Sequence, residues 1–395
     1  MERGDESLET GRYVITYRED RVDEGLKSLK AQAFRVADAR DFKDQAVTLE
    51  DVGDAQALVF PEIRSALVSG AALREHGVSA QDELAPEGPV EAIEPEYFTF
   101  ADNRDYLRGF VSAAETIAKD LGAEKGAIEE EEEVDAKVLG ATWGLVRCKV
   151  PPSVRSGLGI RVAVLDTGMY FLHPDFAGQP VLDLHGHGTH CIGTACGPRT
   201  PPGCTPRYGI AFASRIFAGK VLTNSGTGSS CSVLAGMNWA IANGCQVISM
   251  SLGSPTPVQA AYTAAGAAAL SRGSLIIAAA GNKPGAPTGA PANSPTIMAV
   301  ASLDPTLIPS SISSCAKIEI AAPGRDVFSS VPMPRRYAIM SGTSMATPHV
   351  AGCGALWAQS SPVLRGINLW RRLQSSALRL PFPASRVGSG LVQAP

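Results

Sequence analysis

The chain has 395 residues, of which 45% are hydrophobic and 19% charged, with a formal net charge of −4. That length exceeds one average domain and suits a small and a large one, and the composition is that of a globular protein with a sizeable core. The slightly acidic balance gives no reason to expect nucleic acid or an anionic membrane as partner, and no apolar run reaches the roughly 20 residues of a membrane span.

The opening stretch MERGDESLETGRY has no apolar segment, so no signal peptide is expected in it. A cytoplasmic protein and a secreted one with its signal removed both fit. Residues 11–18 read as a strand and RVDEGLKSLKAQAF as an amphipathic helix. QALVFPEIRSALVSG reads as two strands joined by a turn near Pro61, AALREHGVSAQDE as a second helix and VEAIEPEYFTF as a last strand. This β-α-β-β-α-β order is the ferredoxin-like pattern and defines a small domain over residues 1–100. A polar segment with the run Glu129–Glu133 follows. Clustered like charge repels itself, so residues 101–137 read as a solvated linker.

From residue 138 to 395 the texture changes. IRVAVL, RIFAGKVL, CQVISMSL, SLIIAAA, TIMAVASL and KIEIAAP are predicted strands, with helices at SVLAGMNWAIAN and VQAAYTAAGAAALSR. Continuous apolar strands alternating with helices predict a three-layer α/β unit with a parallel sheet, whose ligands bind at the carboxyl ends of the strands. All eight cysteines lie between Cys148 and Cys353, and none forms a CxxC pair. Cys196 and Cys204 flank a Pro/Gly loop. A disulfide in an oxidising compartment and two small thiols both fit that pair.

Three segments carry groups suited to nucleophilic catalysis. IRVAVLDTG ends a buried strand on Asp166, LDLHGHGTHCIGTA places His187 at a glycine-flanked turn entering a helix, and SGTSMATPHVAG places Ser341 and Ser344 before another. A serine hydroxyl needs an imidazole to take its proton, and the imidazole needs a carboxylate to fix its tautomer. His76, His173 and His349 are poorly placed for that work, which leaves His185, His187 and His190. With Asp183, those three could also be read as metal ligands. The chain order Asp…His…Ser excludes the α/β-hydrolase order, since only His349 follows Ser344 and it is too close.

DTG, HGTHCIGT and GTSMATPHVAG resemble the three active-site signatures of the subtilisin-like serine proteases, and the resemblance runs from about Trp143 to Gly390. It implies a catalytic triad of Asp166, His187 and Ser344, with His190 packing beside it and Asn282 as oxyanion donor. It further implies that Ser251-Leu252-Gly253 and Gly226-Thr227-Gly228 are the edges that hold an extended substrate, and that the small N-terminal domain is an inhibitory propeptide. Cys191, which follows the HGTH motif, is expected as a buried thiol beside the site. Asp175 matches a calcium ligand of the family, whereas the usual Asn/Gly calcium loop is replaced here by CGPRTPPGC, so no metal or cofactor is expected. The expectation is a monomeric, self-processing serine endopeptidase acting on extended polypeptides. A peptide ligase using the same acyl-enzyme and a catalytically silent peptide-binding protein are the alternatives.

Overall fold

The computed structural model describes residues 8–31, 34–42, 47–76, 88–101, 140–176, 182–203 and 205–395. Its centre is a six-stranded parallel sheet of β6 (Arg161–Asp166), β7 (Arg215–Lys220), β9 (Val247–Met250), β10 (Leu275–Ala279), β11 (Met298–Leu303) and β12 (Ile320–Pro323). The strands lie in the order β12-β11-β10-β9-β6-β7. Along β6, β9 and β10 alternate residues enter different cores. Val162, Val164, Ile277 and Val300 face one core, while Ala163, Leu165, Ile276 and Ala278 face the other. Burial on both faces is why these segments are continuously apolar rather than alternating.

Helices cover the two faces. On one lie His187–Cys196 and Thr343–Ser360; on the other lie Ser230–Ala242 and Ala260–Ser271. All six strands and both helices predicted for this region are found. Small residues let the first pair approach closely. A side chain on Gly352 would place its Cβ 2.7 Å from Ile210 Cβ and 3.0 Å from the Ala195 carbonyl oxygen.

The N-terminal strands form a second sheet in the order β2-β3-β4-β1-β5, with β1 (Glu9–Tyr17), β2 (Val36–Asp38), β3 (Ala57–Phe60), β4 (Ser65–Ser69) and β5 (Val90–Phe100). Without β2, this is the predicted ferredoxin-like arrangement. β2 is an added edge strand parallel to β3. The first helix spans Val22–Ala31, and the second, Gly70–Glu75, is shorter than the sequence pattern suggested. Residues 77–83 of that second reading, and all but Ala101 of the linker, lie outside the described residues.

This sheet packs on the helices Ser230–Ala242 and Ala260–Ser271. Glu94 Oε2 accepts from Ala260 N at 2.8 Å and Glu96 Oε1 from Cys231 N at 3.1 Å, so each carboxylate meets a helix N-terminus. The Glu62 backbone N–H donates to Asn238, and the Glu62 carboxylate pairs with Arg272. β5 then runs on to pair antiparallel with β8 (Thr227–Ser229), which brings the end of the N-terminal sheet to the carboxyl edge of the parallel one.

Candidate active site

Asp166 ends β6 where the strand order turns back, between β9 and β7, the position at which open α/β sheets bind ligands. Its side chain is fully buried. Oδ1 accepts from Thr167 N at 2.7 Å and lies 2.8 Å from His187 Nδ1. The glycines around His187 have separate tasks. Gly186 turns the chain with φ 94°, a left-handed conformation that favours glycine. Gly188 lies against the preceding loop, where a Cβ would sit 2.3 Å from the Gly168 carbonyl oxygen.

Asp183 fastens this helix start. Its carboxylate accepts from Thr167 Oγ1 at 3.0 Å, His185 N at 3.0 Å, Gly186 N at 2.8 Å, and Thr189 N and Oγ1 at 2.8 and 2.6 Å. Burial alone would raise its pKa, but the bonds from Thr189, Gly186 and Thr167 outweigh it and hold the carboxyl below the usual range. From sequence, Asp183 is a candidate only for metal ligation. Its signal was present all the same, in an aspartate just ahead of a glycine turn that opens a helix.

His187 is buried, which by itself disfavours its charged form. The Asp166 carboxylate outweighs that cost, so its pKa is raised well above the ordinary histidine value. Its Nε2 is buried and has no hydrogen-bond partner among the described residues. His190 and His349 differ. Burial pushes them down to about 3 and about 4, and they bond the carbonyls of Val327 and Met345. Both are neutral packing groups, as expected for His190.

Ser344 lies in the first turn of the Thr343–Ser360 helix. Pro348, four residues on, has no N–H for the Ser344 carbonyl, so that oxygen looks elsewhere. It accepts from Ser251 Oγ at 2.7 Å and from Cys191 Sγ at 3.6 Å. Cys191 is fully buried, as anticipated, with Sγ 3.9 Å from His187 Nδ1, and burial pushes its thiol pKa up. Ser341 has a different task, accepting from Asp326 N at 2.9 Å. Asn282 Oδ1 accepts from Thr343 N at 2.8 Å and Thr343 Oγ1 at 3.0 Å. Nδ2 is therefore the end of this amide that can donate to a substrate carbonyl.

Ser344 Oγ itself donates to the Ala101 carbonyl at 3.1 Å, because the chain's own β5 fills the groove. Phe100 exchanges two bonds with Gly253, at 3.0 and 2.9 Å, and Ala101 N donates to Gly226 O at 2.9 Å. Thr99 pairs with Gly228 and Phe100 with Thr227. The two segments proposed from sequence as substrate edges thus flank one extended strand. A cavity of about 640 Å³ opens beside Ser344 and Asn282, between Leu252–Thr256 and the 279–289 loop.

The metal readings fare poorly. Asp175 accepts from Tyr208 Oη and from Tyr337 Oη at 3.1 Å, and Arg336 stands 3.6 Å away. A carboxylate already occupied by two hydroxyls and facing a guanidinium does not fit calcium. Asp183 is consumed by the helix start, and His190 by a backbone carbonyl. Among the described residues the one group with metal-ligand spacing is Asp166, His187 and Cys191, within 4.8 Å. There the bond to the Asp166 carboxylate already uses Nδ1, the imidazole nitrogen that faces both partners. Among the described residues seven cysteines are free thiols, and the Cys196–Cys204 pairing involves a residue outside those described. Among the described residues no helix is long and apolar enough to cross a membrane.

Comparison with known proteins places this geometry in context. Residues 157–390 match the family model described as the Subtilase family. An alkaline protease of Shouchella clausii is 37% identical over 331 residues, covering 80% of this chain and 85% of that protein. Subtilisin Savinase of Lederbergia lenta is 39% identical over 266 residues, 64% of this chain and 96% of its own length. Alkaline elastase YaB of a Bacillus strain is 34% identical over 327 residues, 79% of this chain and 84% of that protein. The first and third matches are longer than the family span and so extend upstream of residue 157.

Asp183→Asn should destabilise the fold by roughly 1.5–3 kcal/mol at pH 7, the scale of lost charged hydrogen bonds at a helix start. Because the native pKa of Asp183 lies below the unfolded one, its contribution is present above the unfolded value and lost as pH falls through the native one. Urea unfolding in a Ser344→Ala background should show the gap between parent and variant closing toward pH 3. A gap constant with pH would contradict the role given to the charge.

Proposed function

This chain belongs to the subtilase family and is a serine endopeptidase, and from that premise we propose that Asp166, His187 and Ser344 are its catalytic triad and that residues 1–100 are its inhibitory propeptide. The observation that carries the first part is the buried Asp166–His187 bond of 2.8 Å, one helix away from a serine whose hydroxyl touches a carbonyl of an extended strand.

In this mechanism Ser344 Oγ attacks the substrate carbonyl carbon while His187 Nε2 takes its proton. Asp166 holds the Nδ1 tautomer and stabilises the imidazolium. The oxyanion of the tetrahedral intermediate accepts from Asn282 Nδ2. As the C–N bond breaks, His187 returns the proton to the leaving amine. Water, deprotonated by the same nitrogen, then hydrolyses the acyl-enzyme. Ser251–Gly253 and Gly226–Gly228 hold the peptide as an added strand, which main-chain bonds suffice to bind.

The placement of β5 supports the propeptide reading. Residues 98–101 occupy the groove as a substrate would, and Glu94 and Glu96 anchor the strand on two helix N-termini of the larger unit. The partners in this reading are extended polypeptides and the chain's own propeptide, and the working state is a monomer.

Ser344→Ala should abolish peptide hydrolysis with the fold retained, and Asn282→Ala should lower kcat about 10²–10³-fold with little change in KM. In the parent, kcat/KM should fall with decreasing pH on a limb whose midpoint lies above about 6.5, since Asp166 stabilises the protonated base that cannot act. Asp166→Asn should cut kcat by about 10⁴. Hydrolysis by Ser344→Ala within tenfold of the parent would refute the triad.

Mass spectrometry of active material should find cleavage between Phe100 and Thr142, while the Ser344→Ala variant stays full length. The fragment 1–101 added in trans should inhibit the mature enzyme. An uncut chain with full turnover would contradict the propeptide reading.

A further inference from the structure

The cavity beside Ser344 carries a charge pattern that the reaction itself does not require. Among the described residues that line it are two cations, Lys283 and Lys317, and no carboxylate. The two lysines are not equivalent. Lys317 Nζ donates to the carbonyls of Ala292, at 2.8 Å, and Ile297, and pairs with Glu319 at 2.8 Å. Its charge is spent on the wall of the cavity. Lys283 directly follows Asn282 and is exposed, and among the described residues no carboxylate pairs with it. Part of the remaining wall, including Leu252, Ala279, Ala280 and Pro287, is apolar, and its other polar groups, such as Thr288 and Ser314, are uncharged.

The register of the seated strand says which substrate residue meets this cavity. Phe100 bonds the Gly253 edge and Ala101 the Gly226 edge. Extended backbone alternates, so the next residue of a substrate in the same register returns to the Ser251–Gly253 side, beside the cavity and Ser344. The residue after Ala101 in this chain's sequence is Asp102. Apolar walls accept the methylenes of many side chains and discriminate weakly among them. An uncompensated ammonium does discriminate, favouring a carboxylate and opposing a second cation.

Resting on the protease reading above, we propose that Lys283 makes this enzyme selective for peptides with an acidic side chain, glutamate or aspartate, immediately before the cleaved bond. The methylenes of the substrate residue lie along Leu252 and Ala279–Ala280, and its carboxylate meets the Lys283 ammonium at the mouth.

The test uses chromogenic peptides Thr-Phe-Ala-X with X as Glu, Gln, Leu or Lys, assayed with mature enzyme. Glu and Gln share a shape and differ in charge, so their ratio of kcat/KM isolates the charge effect. That ratio should be roughly three to ten in the parent, as for a partly screened ion pair, and should shrink as salt is raised. Lys283→Met should bring it to about one, and Lys283→Glu should invert it and raise cleavage at X = Lys. Cleavage with a Glu/Gln ratio at or below one, or a ratio unmoved in Lys283→Met, would overturn the inference and leave the protease reading standing. No cleavage of any of the four peptides would overturn both.

Discussion

The site depends on a carboxylate kept out of water. Asp166 has no exposed surface, and an ionised carboxylate in such surroundings persists only if positive charge or donors face it. Those partners are Thr167 N and the His187 imidazole. The remaining features of this region follow from keeping His187 at that distance. β6 ends at the switch point of the sheet, the His187 helix is buried along its whole length, and Asp183 fixes the first turn by five hydrogen bonds. The glycines of HGHGTH follow from the same demand, since one needs positive φ and the other has a backbone oxygen where its Cβ would be.

The second half of the site is tied to the first by a missing hydrogen bond. Pro348 denies the Ser344 carbonyl its partner within the helix, and that oxygen then gathers Ser251 from the segment after β9 and Cys191 from the His187 helix. The turn that carries Ser344, the Ser251 segment and the His187 helix are therefore linked through a single acceptor. A proline inside a helix would ordinarily cost about 3 kcal/mol. Here, near the N-terminus, the freed carbonyl makes two other bonds.

Much of this was legible in the sequence, for physical reasons. The parallel strands are buried on both faces, so IRVAVL or SLIIAAA could be nothing but apolar. The motifs stand at strand ends and helix starts, where local chain chemistry is most constrained. What escaped was set by contacts between distant segments. β2 is three residues long and becomes a strand only by lying beside β3. The helix at residues 70–75 stops earlier than its periodicity suggested. The work of Asp183 depends on Thr167, 16 residues away, and the Ser344 carbonyl that Pro348 frees finds Ser251, 93 residues away. The lysine-bearing cavity is assembled from loops near residues 252, 283 and 317, a juxtaposition that no spacing within one stretch announces.

The central claim is that the Asp166–His187 pair activates Ser344, and labelling with a serine-directed fluorophosphonate tests it most directly. Peptide mapping of the mature protein should find one adduct per chain, on Ser344, formed in step with the loss of peptidase activity. His187→Ala should slow its formation by orders of magnitude, because an unassisted hydroxyl is a poor nucleophile. An adduct on another residue, or labelling of Ser344 at the same rate without His187, would contradict the account.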